Sequence, residues 1–178
     1  MNIQHRQTPS HTVGPYFAYG LTPEQYGFDF KSDLTGSMVN PFENKDAITI
    51  MGCVIDGEGN PINDAMIELW QKDDISELFG RCGTGTDAHN RFVFHTIKPL
   101  PNEDNAPFIT VVVFMRGQLI HSFTRLYFSD EDKLNKKDPV LKRIPMARRH
   151  TLIAQKQDNV YTFDIRMQGE NETVFFDM

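Results

Sequence analysis

Histidines, a carboxylate pair and two thiols are the side chains whose spacing decides what chemistry this sequence can do. The six histidines stand at His5, His11, His89, His95, His121 and His150. None lie two or four apart, and neither an HExxH helix nor a facial-triad spacing is present. His95 and His121 fall in predicted strands, where hydrogen-bonded structural roles account for both. Asp73-Asp74 has the chemistry of an acid–base or metal pair, but adjacent carboxylates in a polar loop read as solvated. Cys53 and Cys82 give neither a CxxC pair nor a disulfide framework. Cys53 lies on a predicted core strand and is expected to be a buried, inert thiol. The spaced glycines Gly80, Gly83 and Gly85 lack the Gly-Lys-Ser/Thr of a phosphate loop. Scattered Ser, His and Asp lack a Gly-x-Ser-x-Gly elbow, so a hydrolase reading has little behind it. Read from its residues alone, the sequence holds no catalytic constellation.

The elements that would position a site are mostly strands. With 178 residues, 39% of them hydrophobic and 14 of them Phe, the chain can bury one core, and a single sandwich domain is expected over 48–178. Residues 48–55 and 66–71 alternate around Asp56-Gly57-Glu58-Gly59-Asn60-Pro61, the pattern of a β-hairpin. Apolar residues on both faces place that hairpin inside a sandwich. Residues 72–86 read as a connection. Strands are predicted over 91–98, 108–115, 119–128, 151–155 and 160–168, with an apolar strand closing the chain at 172–177. Residues 129–137 read as solvated. Asp138-Pro139 supplies an N-cap and a first helical residue for a short helix over 140–144. The fold class is therefore all-β: a sandwich of mostly antiparallel strands, with little helix.

Residues 1–47 are irregular in pattern yet rich in aromatics, including Tyr16, Phe17, Tyr19, Tyr26, Phe28 and Phe30. That composition suits an extended N-terminal arm packed on a surface, either the chain's own sandwich or a partner chain. The net charge of −6 argues against nucleic acid as a partner. No apolar run approaches the roughly 20 residues of a membrane span, and the N-terminal residues lack a signal peptide's apolar stretch. A cytoplasmic protein with no membrane partner is the expectation.

The stretch Gly52-x-Val54-x-Asp56, Gly59-x-Pro61 and Ala65-x-Ile67-Glu68-x-Trp70-Gln71 resembles the sandwich core of the intradiol ring-cleaving dioxygenases. The resemblance covers nearly the whole chain. It runs through Thr8-Pro9-Ser10, Thr12, Gly14-Pro15-Tyr16, Thr96-Ile97-Lys98-Pro99, Thr124-Arg125-Leu126-Tyr127-Phe128, Asp138-Pro139-Val140-Leu141 and the long stretch 163–177. Within the family it is strongest to the alpha chains of two-chain members, whose beta chain holds a non-haem Fe(III) with two tyrosinates and two histidines.

The resemblance implies several things. A chain holding the iron should carry a Tyr after the Trp-Gln strand, a Tyr after the Lys-Pro loop, and a His-x-His. Here 72–79 and 99–107 contain no Tyr, and the His-x-His position is Phe108-Ile109-Thr110. Both loops are also shorter than the family's, and Phe108 stands where even alpha chains often keep His. The implied role is a chain that binds no metal and has no catalytic residue of its own. It would join a beta chain carrying Fe(III) in a multi-copy alpha-beta assembly that acts on protocatechuate and O2. The family's alpha arm implies that Thr12, Gly14, Pro15 and Tyr16 line the substrate pocket, since Gly lets backbone approach a ligand and Pro fixes its direction. Arg125 is implied to sit near that pocket, where it can attract a carboxylated catechol. The alternatives are an ordinary turn at Gly14-Pro15 and a surface salt bridge at Arg125. The competing reading of the whole chain is a stand-alone, metal-free binding or scaffold module.

Overall fold

Period-two alternation of apolar side chains accounts for most of the strands. The computed structural model describes residues 13, 14, 16–72, 77–102 and 104–177. Among them lie nine strands: β1 (Ala47–Ile55), β2 (Met66–Lys72), β3 (Glu77–Gly83), β4 (Arg91–Ile97), β5 (Phe108–Phe114), β6 (Ser122–Phe128), β7 (Ile153–Gln157), β8 (Val160–Thr162) and β9 (Ile165–Arg166). Short helices α1 (Tyr16–Leu21), α2 (Asp132–Asn135) and α3 (Pro139–Arg143) are joined by three 3₁₀ turns. The strand order is β3-β2-β5-β6-β7-β8-β1-β4, with β9 beside β1. The first four strands and the rest form two layers, joined where Tyr127 and Phe128 of β6 pair in parallel with Ile153 and Ala154 of β7.

Alternate residues of each strand fill the space between the layers. Ile50 and Val54, Phe92 and Phe94 face Ile67, Leu69, Ile109, Val111, Leu126 and Phe128 in one buried cluster. One polar link crosses this core. The Thr96 hydroxyl donates to Gln71 Oε1 at 2.8 Å, and the Gln71 amide donates to the Ile97 carbonyl at 3.0 Å. Both polar side chains are thereby satisfied, which burial requires.

Several sequence expectations change here. The 48–71 stretch is not a hairpin ladder. A bridge between Ile55 and Pro61 closes the turn, and then β1 pairs with β4, β8 and β9 while β2 pairs with β3 and β5. The turn sends the chain from one layer to the other. The 72–86 connection contains β3, whose glycines hide its alternation. A Cβ at Gly80 would lie 2.6 Å from Met38 Cγ, and one at Gly83 would lie 2.1 Å from the Tyr26 hydroxyl. Those glycines make room for the N-terminal segment. The strand predicted from 119 begins at Ser122, leaving Leu119 and Ile120 exposed. The 160–168 strand is broken into β8 and β9, and of 172–177 only Phe176 bridges, to Phe123. Cys53 is half-buried rather than enclosed, whereas Cys82 is buried. The 140–144 helix is present as α3, with Asp138 as its cap.

Residues 1–47 are not irregular throughout, because α1 and the 3₁₀ turn Pro23–Tyr26 lie within them. Residues 35–39 lie between the free edges of β3 and β4. The Thr35 carbonyl accepts from Arg81 N at 3.1 Å, the Gly36 carbonyl from His95 N at 2.8 Å, and the His95 carbonyl from Met38 N at 2.9 Å. Both edges are thus covered, which removes templates for edge-to-edge aggregation. Among the described residues no helix is long and apolar enough to cross a membrane.

The 129–137 stretch is not simply solvated. Asp130 accepts from Lys98 at 3.1 Å, Lys156 at 2.8 Å and the Tyr161 hydroxyl at 3.0 Å, beside a second ion pair between Lys98 and Glu131. Burial pushes the Asp130 carboxyl up, but these hydrogen bonds outweigh it and bring it down to about 2. A lowered folded-state value means stability that is present above the unfolded-state carboxylate range and is lost as pH falls through about 2. Asp130→Asn is therefore expected to cost on the order of 2 kcal/mol at neutral pH. The gap between variant and parent should close below roughly pH 3 in urea titrations, as the parent's carboxylate protonates. A gap that stays constant from pH 7 to pH 2 would show that these ion pairs do not hold the β6–β8 junction.

Candidate functional site

A second apolar cluster lies on the outer face of β5 and β6, covered by α2, α3 and the turn Met146–Leu152. Ala106, Tyr127, Leu141, Ile144 and Leu152 are buried in it, with Phe108, Val140, Val174 and Phe176 packed alongside. Its polar centre is Asp138, which is fully buried. The carboxylate caps α3 by accepting from Val140 N and Leu141 N, both at 2.9 Å, and also accepts from Ala106 N at 3.0 Å and the Tyr127 hydroxyl at 3.2 Å. Burial pushes the Tyr127 phenol up to about 12, so it stays protonated and donates to Asp138.

Arg125 is mounted on this cluster. Its guanidinium carbon sits 4.1 Å from the centre of the Phe108 ring, and its Nη1 donates to the Tyr127 oxygen at 3.3 Å. The ring face attracts the cation, and the phenol fixes its orientation. Cross-strand register puts Trp70 opposite Thr110 and Thr110 opposite Arg125, so the three form one row on the outer face. Trp70 is half-exposed there, which corrects its placing in a doubly buried hairpin.

The remaining site candidates lie toward the other end of β5. The Gly14 carbonyl accepts from Phe17 N at 3.1 Å, and the Phe17 ring packs on Phe114 with centres 5.4 Å apart. A Cβ at Gly14 would meet no described residue within 4 Å, so none of the described residues demands glycine there. Tyr16 is 80% exposed, its edge against Tyr19. Phe114 and Thr110 are four residues apart on one strand, ~13 Å along it. Gly14 and Tyr16 are thus not in contact with Arg125, although the Phe17 anchor and Arg125 lie along one sheet. Thr12 and Pro15 lie outside the described residues, as do His5, His11 and the Asp73-Asp74 pair.

The other candidates have local partners. His95 Nδ1 lies 3.2 Å from the Thr49 hydroxyl. His121 precedes β6 rather than lying in it, tilted against the Phe114 ring and edge-on to Phe123. One residue escaped the sequence reading. Arg143, at the end of α3, shares a cavity with Arg125 and Thr110. A basic residue in a helix's last turn is ordinarily read as offsetting the helix dipole, so its sequence signal was generic.

Ferric iron does not fit the residues where the family's ligands would stand. Phe108 offers no donor atom, its ring face carries the Arg125 cation, and Thr110 alone is a poor site. Among the described residues there is no group of three or more His, Cys, Asp or Glu placed to hold a metal.

The sandwich is the intradiol dioxygenase fold. The dioxygenase domain of a carbohydrate-binding fusion from Streptomyces sp. SirexAA-E superposes with a TM-score of 0.59 at 22% identity, covering 79% of this chain and 93% of that one. The 3-chlorocatechol 1,2-dioxygenase of Rhodococcus opacus 1CP gives 0.56 at 20% identity, over 73% and 62%. No family model matches the sequence. Full-length relatives narrow the class. The protocatechuate 3,4-dioxygenase alpha chain of Burkholderia cepacia is 48% identical over 97% of this chain and 98% of its own. That of Pseudomonas putida is 39% identical over 96% of both. The chain belongs to the protocatechuate 3,4-dioxygenase alpha-chain family, and is a subunit of an intradiol dioxygenase.

Proposed function

We propose that the chain joins an iron-bearing beta chain in a multi-copy cytoplasmic assembly that opens protocatechuate with O2 to 3-carboxy-cis,cis-muconate. Both oxygen atoms enter the product, and the beta chain's Fe(III) supplies the chemistry that couples them to the ring. This chain supplies walls to the substrate pocket. Residues 1–47 act as an arm whose 35–39 segment stays on the chain's own sandwich 48–178, while Thr12, Gly14, Pro15 and Tyr16 reach the partner. Arg125 draws in the substrate carboxylate. The observation that carries this reading is the Arg125–Phe108 stack: an aromatic platform for a cation stands where a metal ligand would be needed. The high exposure of Tyr16 supports the role of the arm.

The test is protocatechuate-dependent O2 uptake by this chain co-purified with a candidate beta chain, against each chain alone. Activity is expected only from the pair. Pro15→Ala should weaken it, and Arg125→Met should raise KM about tenfold with kcat within roughly a factor of two, as for loss of a binding charge. A folded chain that never co-purifies with the beta chain would instead favour a stand-alone scaffold module.

A further inference from the structure

We propose that the basic face formed by α2, α3 and the turn Met146–Leu152 docks on the acidic, aromatic face of the N-terminal arm of a second copy of this chain. Residues 133–150 hold seven of the chain's 18 Lys and Arg but one of its 24 Asp and Glu, a net +6 in a chain whose total is −6. That one acidic residue, Asp138, is buried under α3. Lys133, Lys137, Lys142, Arg143 and Arg149 have no carboxylate partner among the described residues. Elsewhere most cations are paired: Lys72, Arg81, Arg91, Lys98, Arg116 and Lys156 each meet an Asp or Glu. Uncompensated positive charge is therefore gathered on one face.

The arm shows the opposite imbalance. Glu24, Asp29, Asp33, Glu43 and Asp46 have no cationic partner among the described residues, and only Lys31 and Lys45 stand among them. Interleaved with these acids are Phe28, Phe30 and Phe42, the last two 74% and 96% exposed. Rings this open gain by burial, their faces attract ammonium and guanidinium groups, and the aliphatic stems of Lys and Arg cover them. Met146, itself exposed, gives the basic face an apolar centre. Among the described residues no ion pair joins the two faces within one chain. The arm runs along the free edges of β3 and β4, whereas the basic face covers the outer side of β5 and β6. Each copy thus offers its basic face to one neighbour and its arm to another, a head-to-tail contact that closes into a ring where the rotation allows. Charge favours this occupant over nucleic acid. The −12 carried outside residues 133–150 repels a polyanion and attracts the basic face of another copy.

The experiment is sedimentation velocity of the full chain over a range of loading concentrations, at about 20 and about 500 mM NaCl. Concentration-dependent association should appear at low salt and weaken about tenfold at high salt, where screening shortens the reach of the charges. Two double variants reverse charge at exposed positions, Lys137→Glu/Lys142→Glu on the basic face and Asp29→Lys/Asp33→Lys on the arm. Each alone should associate about tenfold more weakly than the parent. An equimolar mixture of the two should recover, because each face then meets its opposite charge, and a misfolded variant could not give that result. A chain that stays monomeric at low salt, association that salt leaves unchanged, or a mixture no tighter than the separate variants would each overturn the proposal. So would a basic-face variant that associates as the parent does but no longer binds a short RNA, which would assign the face to nucleic acid. Because the beta chain is not in the tube, this result stands or falls separately from the co-purification assay.

Discussion

Asp138→Ala lowers the unfolding free energy by about 4 kcal/mol, seen as a fall in Tm on the order of 10–15 °C. The size follows from what the carboxylate holds. It caps α3 through two backbone amides, and losing an N-cap costs roughly 0.5–2 kcal/mol. It also accepts from Ala106 N and the Tyr127 hydroxyl, both buried. Alanine leaves those donors without a partner, at about 1–3 kcal/mol each for a buried polar group, partly offset by relaxation. Asp138→Asn keeps one acceptor oxygen and should lose less than half as much. The alanine variant also frees Tyr127, and with it the phenol that orients Arg125. The KM for protocatechuate of the co-purified assembly should therefore rise even at temperatures where the variant remains folded. A Tm within 2 °C of the parent would mean that water replaces the carboxylate and that α3 is not held from this point.

The strand faces were legible because alternation is a local property. Phe92, Phe94 and Thr96 point inward as the sequence pattern requires, and so do Ile67, Leu69 and Gln71. Pairing was not legible, because it depends on contacts distant in sequence. Nothing in 48–71 announces that β1 seeks β4 and that β2 seeks β3 and β5. β3 was hidden for a physical reason: its Gly80 and Gly83 exist to receive Met38 and Tyr26, some 40 to 60 residues earlier. The Asp138 cap was readable from Asp-Pro alone, but its reach to Ala106 and Tyr127 was not. For the site, Arg125 could be singled out only through its motif. Its seat on Phe108 and its neighbour Arg143 emerge from β-register and from helix packing, which no short pattern encodes.

Gly52→Ala should be the most damaging conservative change in the chain, costing about 4 kcal/mol or more and sending the protein to the insoluble fraction. A Cβ there would lie 1.9 Å from the Phe163 carbonyl oxygen and 2.5 Å from its carbon, with Phe92 Cζ at 3.1 Å. Backbone on that side cannot retreat cheaply. Phe163 N donates to the Met51 carbonyl at 2.8 Å, and Gly52 pairs with Phe92 on the opposite side. The crowding marks the place where one strand becomes two. β1 pairs with β8 as far as Met51 and resumes with β9 at Val54, and in the gap the Asp164 carboxylate accepts from Cys53 N at 2.9 Å. A missing side chain on β1 is thus what lets Phe163 and Asp164 fold inward and the ladder restart. Gly20→Ala is the matched control. It lies in α1 with no described residue within 4 Å of a Cβ, so alanine's higher helix propensity should leave stability equal or slightly raised. Urea midpoints of the two variants, measured side by side, separate steric loss from glycine chemistry in general. A soluble Gly52→Ala chain with a parental midpoint would mean that the β8–β9 break is free to move, and the account of this junction would fail.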